Sequence, residues 1–82
     1  MPGSLVHVGF GNYVDLDRVR SIENPHSAPI QRIVREGRRN RTTIDMTSGR
    51  RTKCVLFLDN GKLGLLAISA ASYKNRVRNA GG

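Results

Sequence analysis

The run KCVLFLDNGKLGLLAI, residues 53–68, sets two apolar stretches on either side of an Asn60-Gly61 pair. Asn-Gly between apolar runs is the strongest short hairpin signal, because both central residues of a type I′ turn need positive φ. The spacing predicts strands over 53–58 and 63–68, joined by a turn over 59–62. Side chains alternate between the two faces of a strand. Cys54, Leu56 and Leu58 therefore share one face, and Val55 and Phe57 the other. In the second strand Leu63, Leu65 and Ala67 oppose Gly64, Leu66 and Ile68, again apolar on both sides. A hairpin with one wet face would alternate apolar with polar. One main helix cannot cover both faces. The second face is expected against the terminal helix or a neighbouring subunit, so the pattern points to a homo-oligomer.

The main helix lies upstream. Ser27 reads as its N-cap and Pro29 sits in its first turn. Ile30, Ile33, Val34 and Gly37 recur at i, i+3, i+4 and i+7, which defines one apolar stripe. Arg32, Arg35, Arg38 and Arg39 take much of the remaining surface, and the last three suit the C-terminal end of the helix dipole. Residues 5–8 read as a first strand, Gly9-Phe10-Gly11-Asn12 as a turn, and 13–16 and 19–22 as extended pieces broken near Asp17 and Arg18. Residues 42–46 form another short strand. Ser69 to Ser72 cap a short terminal helix, with Tyr73 and Val77 on one side and Lys74, Arg76 and Arg78 on the other. Residues 80–82 are expected to fray. The reading is a single domain over 1–82 of the α+β class: a small antiparallel or mixed β-sheet with one main helix and a short C-terminal helix.

Charge is the loudest global signal. Fourteen Lys and Arg against six Asp and Glu leave a net charge of +8, and eleven of the fourteen are arginine. Residues 18–53 hold ten basic groups and three acids, a local +7 (10 − 3). Such a field favours a polyanion such as nucleic acid. Arginine also forks onto phosphate oxygens better than lysine does.

The stretch TSGRRTK, residues 47–53, concentrates that charge at the mouth of the first hairpin strand. Gly49 tolerates positive φ, so the chain can turn sharply there and present backbone N–H groups. Thr47, Ser48 and Thr52 add hydroxyls. Arg50 and Arg51 diverge, so each can grip a different phosphate. Asp45, just upstream, reads either as an acceptor that holds the arginine forks or as a plain edge-strand aspartate.

Catalytic and metal signals are weak. Cys54 is the only cysteine, so no internal disulfide forms, and it has no nearby Cys or His for a zinc site. It reads as a small core residue in a reducing compartment. His7 and His26 lack a Ser, Cys or carboxylate partner at a telling spacing. Gly9-x-Gly11 fails as a dinucleotide loop because position 14 is valine and no helix opens there. Met1 to Leu5 show no basic n-region or apolar h-region, so no signal peptide is expected, and no run reaches membrane-spanning length. The expectation is a cytoplasmic, nucleoid-associated protein with no enzyme activity, cofactor, metal, membrane partner or small-molecule substrate.

The order of several motifs carries a resemblance. VGFGN (8–12), Arg18 leading into SI (21–22), SAPIQRIV (27–34), ID (44–45) and TSGRRTK (47–53) resemble the RemA family of bacterial extracellular matrix regulators. The match spans residues 5 to about 68. The resemblance implies a DNA-binding transcriptional activator of matrix and biofilm genes. It also implies a closed homo-oligomeric ring, of seven or eight subunits, with double-stranded DNA as partner. Its DNA-contacting arginines match Arg18, Arg50 and Arg51 here. Thr52, Lys53 and Arg32 are candidate secondary phosphate contacts. An RNA-binding module and a ring scaffold for acidic proteins are the competing readings.

Overall fold

The computed structural model describes residues 5–81. In chain order it contains β1 (Leu5–His7), β2 (Tyr13–Asp15), a 3-10 turn (Leu16–Arg18), β3 (Val19–Glu23), α1 (Ala28–Asn40), β4 (Thr43–Met46), β5 (Cys54–Leu58), β6 (Leu63–Leu66) and α2 (Ala70–Gly81). β3, β5, β6 and β4 form a four-stranded sheet in that order, and β1 and β2 pair as a separate antiparallel hairpin. The sheet is mixed: β3–β5 and β5–β6 are antiparallel, while β4 and β6 run parallel. α1 carries the chain from β3, at one edge of the sheet, across one face to β4 at the other edge, and the chain then returns to the centre through β5 and β6.

The two-faced hairpin finds both of its covers within the chain. On one face Val55 and Leu65 pack with Ile30 of α1, with Val34 and Phe57 alongside. On the other, Cys54, Leu56, Leu66 and Met46 pack with Val6, Val8, Val14 and Tyr73. The terminal helix was one expected cover, and the β1–β2 hairpin shares the work. Tyr73 is buried and Val77 half-buried, on the inward side of α2 as its spacing predicts.

Several local expectations need correction. Asn60 does not adopt positive φ; only Gly61 does, at 80°. Gly61 N–H donates to the Leu58 carbonyl at 3.2 Å, and Leu58 N–H to the Lys62 carbonyl at 3.0 Å. The connection is a three-residue loop closed by a left-handed glycine, the alternative to the two-residue type I′ turn. The second strand stops at Leu66 rather than residue 68, because β4, its parallel neighbour, ends opposite it at Met46. Leu16 belongs to the 3-10 turn, not to a strand. The terminal helix is not short: its 12 residues nearly match the 13 of α1. It continues through Gly81, where fraying was expected; residue 82 lies outside the described residues.

Both helix entrances are legible, though they work differently. Ser69 Oγ accepts from Ser72 N–H at 3.1 Å and caps α2. Ser27 occupies the cap position of α1 without a side-chain bond, and Pro29 sets the first turn. Of the predicted stripe, Ile30 and Gly37 are buried and Val34 half-buried, but Ile33 is 37% exposed. At 100° per residue it falls on the rim of the contact face. Gly37 is where α1 comes nearest the sheet: a Cβ there would stand 2.9 Å from Leu63 Cδ1 and 3.0 Å from Thr43 Cγ2.

Candidate functional site

The arginine stretch links β4 to β5, which are not neighbours; β6 lies between them. The connection must therefore pass over the end of β6 and span two strand spacings, roughly 10 Å. Both of its roots are fixed. At the upstream root Asp45 Oδ1 accepts from Thr47 N–H at 2.9 Å and from the Thr47 hydroxyl at 2.6 Å. At the downstream root Lys53 N–H donates to the Leu66 carbonyl at 2.8 Å. Between them Ser48 (φ 52°) and Gly49 (φ 81°) are both left-handed, and Arg50 N–H donates to the Thr47 carbonyl at 3.0 Å. Two positive φ values inside that hydrogen bond make a type I′ turn, and it places Arg50 and Arg51 outward.

Asp45 thus anchors the stem of the loop and not the arginine forks, which corrects one of the two sequence readings. Its carboxyl is held below the usual aspartate value chiefly by the Thr47 hydroxyl, then by the Thr47 amide, with Arg38 adding a weaker attraction. Thr47 is buried, which suits a residue whose polar atoms are spent within the turn.

A second turn packs beside this one. Gly9 (φ 99°), Phe10 (φ 55°) and Gly11 (φ 77°) are three successive left-handed residues joining β1 to β2. Val8 N–H donates to the Asn12 carbonyl at 2.9 Å and closes the turn. The Asn12 side-chain amide donates to Gly9 O at 3.1 Å, Phe10 O at 3.3 Å and Met46 O at 3.4 Å. Met46 immediately precedes the arginine loop, so Asn12 ties the two turns together. The guanidinium carbon of Arg50 stands 4.0 Å over the centroid of the Phe10 ring. Phe10 and Asn12 were absent from the predicted site. The only signal for them was the glycine pair in GFGN, and nothing local indicated what that turn would meet.

The predicted site residues divide into two groups. Arg50, Arg51 and Lys53 are exposed and Thr52 half-buried, all on one loop. Arg18 lies elsewhere: its carbonyl accepts from Asp59 N–H at 2.8 Å, beyond the C-terminal end of β5, whereas Arg50 and Arg51 precede the N-terminal end. The length of β5, roughly 14 Å by the usual strand rise, separates them. Arg18 stands 4.0 Å from both Asp15 and Asp59, with its side chain 62% exposed. Among the described residues, those are the only ion pairs, so Arg50 and Arg51 face no carboxylate at that range. Arg32 is exposed on α1, and an open groove of about 270 Å³ beside the loop runs between Arg35 and Arg38 of that helix and Thr52.

Other chemistry finds little support. Among the described residues no group of His, Cys, Asp and Glu could hold a metal ion, and no helix is long and apolar enough to cross a membrane. Burial raises the thiol pKa of Cys54 and the phenol pKa of Tyr73. His7 is engaged by Arg76, whose Nη1 lies 3.1 Å from both its ring Nδ1 and its carbonyl oxygen.

Comparison with known proteins completes the description. Residues 5–77 match the RemA-like family, described as extracellular matrix regulatory protein A-like. A protein of Dehalococcoides mccartyi is 47% identical over 73 residues, covering 89% of this chain and 76% of its own. One from Synechococcus elongatus is 43% identical over 82 residues, covering 100% of this chain and 94% of its own. One from Oceanobacillus iheyensis is 42% identical over 74 residues, covering 90% and 86%. All three are named, provisionally, as regulatory proteins.

Proposed function

Because the chain belongs to the RemA-like family of extracellular matrix regulatory proteins, we propose that its regulatory role is exerted by binding duplex DNA through the arginine loop, as an activator of matrix and biofilm genes. The observation that carries this reading is the loop. Arg50 and Arg51 are exposed, have no carboxylate partner among the described residues, and ride a turn fixed at both roots. Two guanidiniums held in that way suit phosphate oxygens, which accept their N–H forks. Arg18 grips a separate phosphate, with Lys53, Thr52 and Arg32 as supporting contacts.

One chain offering so few contacts binds weakly. Copies assembled into a homo-oligomeric ring repeat the loop, and effective concentration then raises avidity by roughly 10²-fold or more. Among the described residues no recognition helix of the groove-reading kind is evident: the exposed residues of α1 include Arg32, Arg35, Arg38 and Arg39, and its exposed amides are limited to Gln31 and the terminal Asn40. Selectivity then rests on DNA bendability more than on base edges.

Duplex binding followed by fluorescence anisotropy tests the reading. Arg50→Ala and Arg51→Ala are expected to lose at least about tenfold in affinity, given the worth of a charged phosphate contact, with thermal stability and oligomer mass unchanged. Each lost phosphate contact should lower the slope of log K against log salt by about 0.9. Unchanged affinity in both variants sinks the assignment. Two exposed aromatics, Phe10 at 46% and Tyr13 at 62%, favour a second reading, single-stranded RNA binding by base stacking. Competition between duplex DNA and single-stranded RNA at matched salt separates the two.

A further inference from the structure

We propose that Phe10 is a positioning residue for Arg50: its ring holds the guanidinium in place for phosphate without using any of its N–H donors. The inference rests on the DNA reading and adds the β1–β2 turn to the site.

Phe10 is an aromatic residue where burial, backbone preference and solubility all argue against one. It is 46% exposed, it adopts φ of 55°, and both of its neighbours are glycine. A bulky residue in the left-handed region is an outlier that persists only where the surroundings over-determine it. Those surroundings are specific. Asn12 donates to the carbonyls of Gly9 and Phe10 and reaches across to Met46 at the root of the arginine loop. The result is a strained turn whose tip lies under Arg50, with the guanidinium carbon 4.0 Å from the ring centroid.

The physical reason to use an aromatic is donor economy. A carboxylate beside Arg50 would hold it too, but would compete with phosphate for the same N–H groups. A ring attracts the cation through its quadrupole and is no strong hydrogen-bond acceptor. Holding the side chain in one place beforehand also removes part of the ordering cost that binding otherwise carries. Arg51 and Lys53 have no such aromatic contact among the described residues. Within the pair, Arg50 is the placed contact and Arg51 the free one.

A double-mutant cycle on duplex affinity tests this, using Phe10→Leu, Arg50→Ala and the combination, with Phe10→Trp as the conservative variant. Phe10→Leu is expected to lower affinity about two- to tenfold, the range of an exposed to partly desolvated cation–π contact. Phe10→Trp should restore it, and Phe10→Leu should change nothing once Arg50 is alanine. Wild-type affinity in Phe10→Leu, or an equal loss in both backgrounds, overturns the proposal. An NMR arm needs no DNA: the Arg50 Nε–H proton should show a ring-current shift that disappears in Phe10→Leu. A wild-type chain that binds no duplex overturns the DNA reading; the NMR arm then decides whether Phe10 holds Arg50, and an unshifted proton overturns that too. If Phe10→Leu does not fold, the wild-type proton shift and its change in Phe10→Trp decide the same point.

Discussion

The carboxylate of Asp45 accepts two hydrogen bonds from Thr47, at 2.9 and 2.6 Å, and those bonds close the chain into the turn that carries Arg50. Charged acceptors make the stronger bonds, but this one is largely exposed and is screened by water. Its folded pKa lies below the ordinary value, so the contribution is present above the unfolded pKa and is lost as pH falls through the folded one. Asp45→Ala should therefore cost about 1 kcal/mol at neutral pH. The gap between wild type and variant should narrow below about pH 4. Denaturant melts across that range check both statements, and a constant gap would contradict them. The sequence offered Asp45 as a partner for the arginines or as an ordinary edge residue. Its actual role followed from the residue two positions on, a local relation that the spacing Asp-x-Thr allowed but did not demand.

Two positions on α1 show how the element answers to its surroundings. In an exposed helix interior, replacing glycine by alanine gains about 1 kcal/mol. At Gly37 the added Cβ would press on Leu63 and Thr43, and Leu63 is itself buried, so it has little room to give. Overpacking typically costs about 1–3 kcal/mol. Gly37→Ala is thus expected to destabilise by about 1 kcal/mol net. Arg41, the C-cap, sits at φ 60° and ψ 39°, where glycine is the usual residue. Arg41→Gly relieves that strain, partly offset by glycine's greater freedom when unfolded, for a gain of about 0.5 kcal/mol. Chemical denaturation of both variants should show shifts of opposite sign. The helix itself was plain in its i, i+3, i+4, i+7 spacing. The exposure of Ile33 was not, because a stripe identifies a face but not its edges.

At the scale of the molecule, the positions of the three arginines proposed to contact DNA set a test of that reading. Arg18 and Arg51 flank opposite ends of β5, about 14 Å apart by strand rise, and share no partner. Sites that far apart act independently. Losses in duplex affinity from Arg18→Ala and Arg51→Ala should then add to within about 0.5 kcal/mol in the double variant. Larger coupling would mean that both reach one phosphate, as they could only across a subunit boundary. Light scattering with and without a promoter-length duplex reads the assembly directly, with a multiple of the 9.1 kDa chain mass expected in both. The two-faced hairpin is no longer an argument for that assembly, since α1 covers one face and α2 with the β1–β2 hairpin the other. Exposed Leu5, Tyr13 and Ile44 are the apolar surface a second copy could cover.

Residues 53–68 determined by themselves that a two-faced hairpin lies at the centre, and the charge between 18 and 53 that its surroundings are basic. Alternation, turn-forming residues and net charge depend on neighbours in sequence, so they can be read without a fold. The tertiary structure alone decided that β4 runs parallel to β6, which forces the arginine loop over the end of that strand. It also decided that Phe10 comes to lie under Arg50 and that Arg18 stands a strand length away. Each of these is a contact or separation between segments 20 or more residues apart in the sequence. They depend on how strands order in the sheet and on which layer the β1–β2 hairpin joins, and no local pattern of side chains encodes either.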